Sequence, residues 1–183
     1  MGAQGPIQIR HHGQAQGPAP TDESFMLLEK VKEKFLDDVY KTQEFRRDLV
    51  VVINKEIIRD LADFLKTDPD LDFNILMDLT AVDYLRMNRT PRFDVVYHFY
   101  SLAKNHRLRV KAGIDEKEPV INSLTPVWPV ADWFEREAWD MFGIKFKGHP
   151  NLKRILMYEG FEGHPLRKDY PYNKRQPLVG PKN

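Results

Sequence analysis

The chain contains no cysteine among its 183 residues. Disulfide bonds, thiolate zinc sites, iron–sulfur ligation by this chain and cysteine nucleophiles are therefore excluded. The formal net charge is only +1, so the composition gives no support to a nucleic-acid partner. No run approaches the roughly 20 apolar residues that a bilayer-spanning helix needs, and we expect the chain not to cross a membrane by itself.

Motifs of nucleophilic and nucleotide chemistry are also missing. No serine stands in a Gly-x-Ser-x-Gly elbow, and no glycine-rich phosphate loop is present. The first 20 residues lack the apolar segment of a signal peptide, and eleven of them are Gly, Pro or Gln. This composition predicts a flexible N-terminal arm over residues 1–21.

The rest of the chain shows clear periodicity. Helical spacing predicts helices over residues 22–34, after Asn54 and over 131–142, whereas apolar runs and alternation predict strands over 49–53, 73–84, 93–100 and 107–114. In the strand over 73–84, one side is predicted to carry Phe73, Ile75, Met77, Leu79 and Ala81. This order predicts an α+β domain over residues 22–146, with a mainly antiparallel sheet and helices packed on one face. An extended tail that binds a partner is predicted for residues 147–183.

The helix over 131–142 departs from a simple amphipathic pattern. A helical projection puts Val130, Phe134, Ala138 and Met141 on one apolar face, with Trp133 beside it. It also puts Glu137 inside this apolar arc and Trp139 among polar residues. Glu137 could act with Asp140 as an acid–base pair, or it could accept a buried arginine or backbone amides beside an ordinary Arg136–Asp140 pair. An exposed Trp139 would be a contact anchor for another chain.

The tail repeats Gly-His-Pro at residues 148–150 and 163–165. One interpretation is a metal-dependent hydrolase that uses His149, His164 and Glu159. The other is a pair of turns, because proline pushes each preceding histidine toward extended backbone. Residues 145–175 carry eight Lys or Arg and three Asp or Glu, which suggests contact with anionic headgroups, nucleic acid or an acidic protein surface. The absence of a recognition helix argues against nucleic acid. The segment is poor in regular structure, so we expect it to become ordered on another subunit and not alone.

Two blocks of this region resemble a known family. EREAWDMFGIKFKGHPNLKRIL, residues 135–156, and GHPLRKDYP, residues 163–171, are similar to the signature of the 30-kDa subunit of respiratory complex I. In bacteria, members of this family are called the C subunit of NADH-quinone oxidoreductase. The preceding layout also looks like the family's domain, so the resemblance extends from roughly residue 49 to residue 171.

The resemblance implies a cofactor-free structural subunit of the peripheral arm, with no active site of its own, that supports the quinone-reducing module. NADH, FMN, iron–sulfur clusters and quinone would belong to partner subunits, chiefly the 49-kDa-type quinone-site subunit and the subunit with the terminal iron–sulfur cluster. Membrane association would be indirect. Because no presequence is visible, we expect the cytoplasmic side of a bacterial inner membrane.

On this resemblance we predict a partner interface made of nine residues. They are Glu137, Trp139, His149, Arg154, His164, Arg167, Lys168, Asp169 and Tyr170. No catalytic, cofactor-binding or metal-binding residue is predicted. The remaining alternative within the same class is the equivalent subunit of a related energy-converting complex, such as a membrane-bound hydrogenase or a ferredoxin-fed quinone oxidoreductase.

Overall fold

The computed structural model of the chain describes residues 22–45 and 48–177. These residues form three α-helices, α1 (Asp22–Phe35), α2 (Ile58–Thr67) and α3 (Ala131–Phe142), and two short 3₁₀ helices, Leu36–Asp38 and Lys55–Ile57. The strands are β1 (Val39–Phe45), β2 (Asp48–Ile53), β3 (Ile75–Asp83), β4 (Phe93–Ser101), β5 (His106–Ile114), β6 (Val120–Asn122) and β7 (Lys145–Lys147). The predicted arm over 1–21 lies outside the described residues. Within the described ranges, no helix is long and apolar enough to span a bilayer.

The main sheet has five strands in the order β1-β2-β5-β4-β3. Every neighbouring pair is antiparallel except β2 and β5, which run parallel. The β4–β5 hairpin follows the predicted alternation from the pair Phe93 and Ile114 to the pair Ser101 and His106. The α+β class and the mainly antiparallel sheet are confirmed.

The core lies on one face of this sheet. Alternate residues of β4, including Tyr97 and Phe99, are fully buried against side chains from all three helices. As predicted, helical structure follows Asn54, whose side chain accepts a hydrogen bond from the Glu56 amide at 3.2 Å and caps the 3₁₀ helix Lys55–Ile57; α2 follows directly at Ile58. The three α-helices therefore all pack on one face of the sheet, and none of them packs on the other.

Strand β3 corrects the prediction for residues 73–84. The strand begins at Ile75, and its pairing with β4 shifts between Leu76 and Asp78. This bulge moves Leu76 into the core at 3% exposure and turns Met77 outward at 48% exposure. A bulge adds one residue to one strand, so the inward and outward positions exchange beyond it.

Three strands were not predicted. Strand β1 is an edge strand whose sequence, VYKTQEF, alternates weakly and carries polar residues, as edge strands often do. Strands β6 and β7 have three residues each and pair in parallel as a separate small sheet. Their partner strands lie far apart in the sequence, so local periodicity does not reveal them.

Candidate functional site

Helix α3 buries only part of the predicted face: Ala138 and Met141 lie in the core, whereas Val130 is 41% exposed. The buried carboxylates of α3 are Glu135 and Asp140, both with no exposed surface, whereas Glu137 is exposed. Trp133, which the projection placed beside the core, is 58% exposed. The prediction that Glu137 is buried was wrong, because Trp133 was counted as a core residue. The small side chains of α3 pack on the sheet instead.

Asp140 is the centre of the first polar cluster. One of its oxygens accepts a hydrogen bond from the Arg154 guanidinium, and the other accepts from the backbone amides of residues 155–157 at 2.9–3.1 Å. Burial alone would raise the pKa of Asp140, but these donors outweigh it and lower the pKa below its ordinary value. The carboxylate therefore stays ionised and is fully used in holding residues 154–157 against α3.

Arg154 and Arg136 fasten the same segment from two sides. The Arg154 guanidinium also donates to the carbonyls of Phe161 at 2.7 Å and Gly163 at 3.1 Å. Arg136 donates to the carbonyls of Lys153 and Arg154, each at 3.1 Å. The prediction of an Arg136–Asp140 pair is therefore wrong: Asp140 pairs with Arg154, which lies 14 residues downstream.

The second Gly-His-Pro turn packs on the end of α3. Nδ1 of His164 lies 3.0 Å from the carbonyl oxygen of Asp140, and its ring contacts Trp139 edge-to-face with centroids 6.3 Å apart. Gly143 ends the helix with φ of 79°, and a Cβ there would lie 2.7 Å from the His164 ring. Trp139 is half-buried under this turn, so the expectation that it is exposed on the polar face is wrong.

The first Gly-His-Pro turn is tied to the start of α3. Nε2 of His149 lies 3.2 Å from the carbonyl oxygen of Asp132 and 3.2 Å from its Oδ1. Nδ1 of His149 accepts a hydrogen bond from the Asn151 amide at 3.0 Å. Both ring nitrogens are therefore occupied. Glu159 is exposed, and the described part of the chain contains no group of three His, Cys, Asp or Glu side chains that could hold a metal. This geometry does not favour the metal-dependent hydrolase.

The second polar cluster surrounds Arg92, which is only 8% exposed. Its guanidinium forms a two-point pair with Asp83, at 2.7 and 2.9 Å. It also binds Asp169 through two hydrogen bonds of 2.8 and 3.1 Å, and Glu116 through Nη1. One buried cation thus joins a core strand, a loop and the tail.

Asp83 and Asp169 are both held as anions. Burial alone would raise the pKa of Asp83, but the Arg92 guanidinium and the amides of Lys168 and Leu85 lower it to about 2. The hydrogen bonds from Arg92 lower the pKa of Asp169 despite partial burial. Arg167 completes the cluster by reaching Asp169 and Glu116, each at 3.3 Å.

Residues 149–170, which cross α3 and end at the Arg92 cluster, form a segment that we call the strap. At its C-terminal end, the ring of Tyr170 stacks on the ring of Phe161 with the ring centres 6.0 Å apart. The Tyr170 hydroxyl accepts a hydrogen bond from the Gln176 side-chain amide at 2.9 Å. Gly163 has φ of 95°, and a Cβ there would lie 2.8 Å from the Tyr170 ring. The expectation that this segment has little reason to be ordered alone is corrected: its polar groups bind its own domain.

The two sequence blocks that carry the resemblance, residues 135–156 and 163–171, run from α3 through β7 and along the strap. Comparison with known proteins gives the same assignment. A family model described as "Respiratory-chain NADH dehydrogenase, 30 Kd subunit" matches residues 51–176. The chain belongs to this family. The resemblance seen in the sequence is confirmed, and with it the expectation of a complex I subunit.

One relative in this family is the C subunit of NADH-quinone oxidoreductase from Roseiflexus sp. (strain RS-1). It is 51% identical over 145 residues, which are 79% of this chain and 82% of the relative. A solved structure, "Nqo5 of the trypsin-resistant fragment (1-134)", is 31% identical with a TM-score of 0.63, covering 71% of this chain and 99% of that one. These likenesses cover the domain and not only the motif.

A chain of the membrane-bound sulfane sulfur reductase, an archaeal respiratory membrane complex, has the same fold. Its TM-score is 0.70, its identity 22%, and the match covers 83% of this chain and 88% of that one. At this identity the likeness concerns the fold alone. The alternative assignment to a related energy-converting complex is not favoured over the family above.

The nine predicted interface residues fall into two groups. Glu137, Lys168 and Asp169 are exposed, although Asp169 also binds Arg92. The others are partly buried in the strap's contacts with its own domain: Trp139, His149, Arg154, His164, Arg167 and Tyr170. Sequence reasoning missed Arg92, Asp83 and Glu135. The only sequence signal for Arg92 was its position directly before the alternating pattern of β4, and this position does not indicate which carboxylates it binds.

We expect Asp140→Asn to loosen the strap. The single side-chain oxygen of asparagine can accept only some of the four hydrogen bonds that the two carboxylate oxygens accept. The asparagine NH₂ group would then face other hydrogen-bond donors, either the Arg154 guanidinium or the backbone amides. Cleavage by trypsin after Lys153 or Arg154 should accelerate at least about tenfold, since local opening exposes these bonds. Asp63→Asn, on the exposed face of α2, is the matched control. Equal cleavage rates in wild type and Asp140→Asn would contradict this role.

Proposed function

We propose that the chain is a non-catalytic structural subunit of the peripheral arm of a proton-translocating NADH:quinone oxidoreductase, and that it supports the quinone-reducing module. The observation that carries this proposal is the use of the family's motif. Asp140, Arg154 and Asp169 of this motif hold the strap on α3 and on Arg92. A motif used in this way fixes the shape of a surface.

The motif's ionisable groups are poorly suited to proton transfer. Asp140 of the motif is ionised and saturated by four donors. Glu135 has a pKa raised to about 7, but it is fully buried and accepts hydrogen bonds from Ser123 and the Leu124 amide, so it has no access to a substrate. A general base needs a pKa near the working pH and access to its substrate. We therefore propose that NADH, FMN, the iron–sulfur clusters and quinone are held by partner subunits and that this chain has no active site.

The surface that the strap shapes carries apolar residues in open positions. Leu156 and Leu166 of the strap and Trp133 of α3 are all more than half exposed. Exposed large apolar side chains beside fixed charges are typical of a protein contact. We propose that this surface meets the 49-kDa-type quinone-site subunit and the terminal iron–sulfur subunit, on the cytoplasmic side of a bacterial inner membrane.

Affinity purification from membranes tests this assignment. A tagged chain, expressed in its own host, is expected to be recovered with the other subunits in a full-size complex that reduces quinone with NADH. The same chain purified alone should contain no stoichiometric metal or flavin and show no activity. Equimolar bound metal in the isolated chain, or recovery without partner subunits, would contradict the proposal. Recovery with hydrogenase subunits would support the related complex instead.

A further inference from the structure

The second face of the main sheet carries a column of positive charge. Arg107, Arg109 and Lys111 occupy alternate positions of β5, the side opposite the buried Leu108 and Val110. Alternate residues of a strand lie about 7 Å apart on one face. The three cations therefore form a row about 13 Å long in the middle of the sheet.

Apolar residues flank this row without belonging to the core. Val50 on β2 and Val96 on β4 are nearly buried, yet they lie outside the core cluster to which α1, α2 and α3 contribute. Val50 pairs with Arg109 and Val96 with Lys111, so valines and cations share the same face. In the described part of the chain, the three helices pack on the opposite face.

The cations are weakly compensated within the chain. Arg109 approaches Asp48 at 3.5 Å, the outer limit of a hydrogen bond, and the Arg107 guanidinium lies 5.8 Å from the centre of the Tyr100 ring. Among residues 22–45 and 48–177, no carboxylate forms a salt bridge with Lys111. The positive charge on this face is thus available to a partner.

A cavity of about 230 Å³ opens at one end of the row. Its walls include Arg107, Arg109 and His98, and also Asp48 and Asp78. Burial, followed by the charge of Arg109, lowers the pKa of His98, so this imidazole adds little positive charge of its own near neutral pH. The two aspartates interrupt the positive charge at this end of the row, so the face suits a short acidic segment better than a continuous polyanion such as RNA or an anionic lipid surface.

We propose that this face, defined by the row Arg107, Arg109 and Lys111 with its flanking valines, docks an acidic, extended segment of a neighbouring subunit of the complex. Alternate residues of an extended segment would place carboxylates at the same spacing of about 7 Å as the three cations. This inference rests on the proposed function, since the occupant is a subunit of the same assembly.

Acetylation of Lys111 measures whether the face is covered. Acetic acid N-hydroxysuccinimide ester is applied to the isolated chain and to the purified complex, and the rate at Lys111 is read by mass spectrometry. We expect at least about a tenfold slower reaction in the complex. Equal rates would overturn the inference. Protection that disappears on delipidation or nuclease treatment would also overturn it, because the cover would then be lipid or nucleic acid.

Charge reversal tests the electrostatic part. We expect Arg109→Glu to lower incorporation into the complex at least about tenfold, because it places a negative charge opposite an acidic partner. Lys104→Glu, the same charge change in the exposed β4–β5 loop, should stay within about twofold of wild type, as expected for a charge outside the contact. Normal incorporation of Arg109→Glu would overturn the inference.

The acetylation measurement needs no substitution, so a folding defect in Arg109→Glu cannot hide the answer. The inference and the proposed function fail separately. A wild-type chain that co-purifies with an active complex while Lys111 reacts freely refutes only the docking face. A wild-type chain that never joins the complex refutes both.

Discussion

Arg92→Ala is expected to destabilise the purified chain by about 3–5 kcal/mol, because it leaves Asp83 ionised and buried with its charge uncompensated. It also removes the cation to which Asp169 is bound, so the far end of the strap loses its anchor. Urea unfolding at pH 7 measures the effect as a lower midpoint. Arg92→Lys should fall between wild type and alanine, since a single ammonium cannot bind both carboxylates in two-point geometry.

The control for Arg92→Ala is Lys32→Ala, which removes an exposed i,i+3 pair with Glu29. Exposed pairs contribute little, so its effect should stay within about 0.5 kcal/mol. The double variant Arg92→Ala with Asp169→Asn should cost less than the sum of the single variants, because the two residues share one network. A loss below about 1 kcal/mol for Arg92→Ala would contradict the anchoring role.

Glu135→Gln is expected to remove a pH dependence from the free energy of unfolding. Burial raises the pKa of Glu135 from 4.5 to about 7, against hydrogen bonds from Ser123 at 2.7 Å and the Leu124 amide at 2.6 Å. A raised native pKa means that the folded chain holds a proton that the unfolded chain releases. This contribution is complete below pH 4.5 and is lost as the pH rises through 7.

Between about pH 5 and pH 8, wild type should therefore lose about 2–3 kcal/mol more stability than Glu135→Gln. Other groups, such as His98 with its lowered pKa, change stability equally in both proteins, so the difference isolates Glu135. Urea unfolding at several pH values gives the two curves. The control is Glu137→Gln on the exposed side of α3, which should follow wild type. Parallel curves for wild type and Glu135→Gln would contradict the prediction.

Most of the fold could be predicted because it depends on local periodicity. The β4–β5 hairpin alternates over its whole length, and the helical stretch formed by the 3₁₀ helix Lys55–Ile57 and α2 is bounded by residues that favour helix ends, Asn54 and Asp68. The exceptions have local causes. A bulge reversed the exposure of Met77, and α3 placed Trp133 outside because its alanines approach the sheet.

The polar clusters could not be predicted from spacing. Arg92 meets Asp169 from 77 residues away, and Asp140 meets Arg154 across a turn. Charged loop residues have no periodicity, so the sequence does not reveal which of them become partners. The family resemblance identified the segment that carries the motif. The expectation that this segment becomes ordered only on a partner overlooked the contacts of the strap with its own domain.

The central claim is that the family's motif builds a surface for assembly and carries out no chemistry. Turnover of NADH:quinone reductase per assembled complex, measured on membranes containing Asp140→Asn, tests it most directly. The account predicts less assembled complex on native gels, with unchanged turnover for each complex that forms. Full assembly with lost turnover would contradict the account and would give Asp140 a role in the reaction.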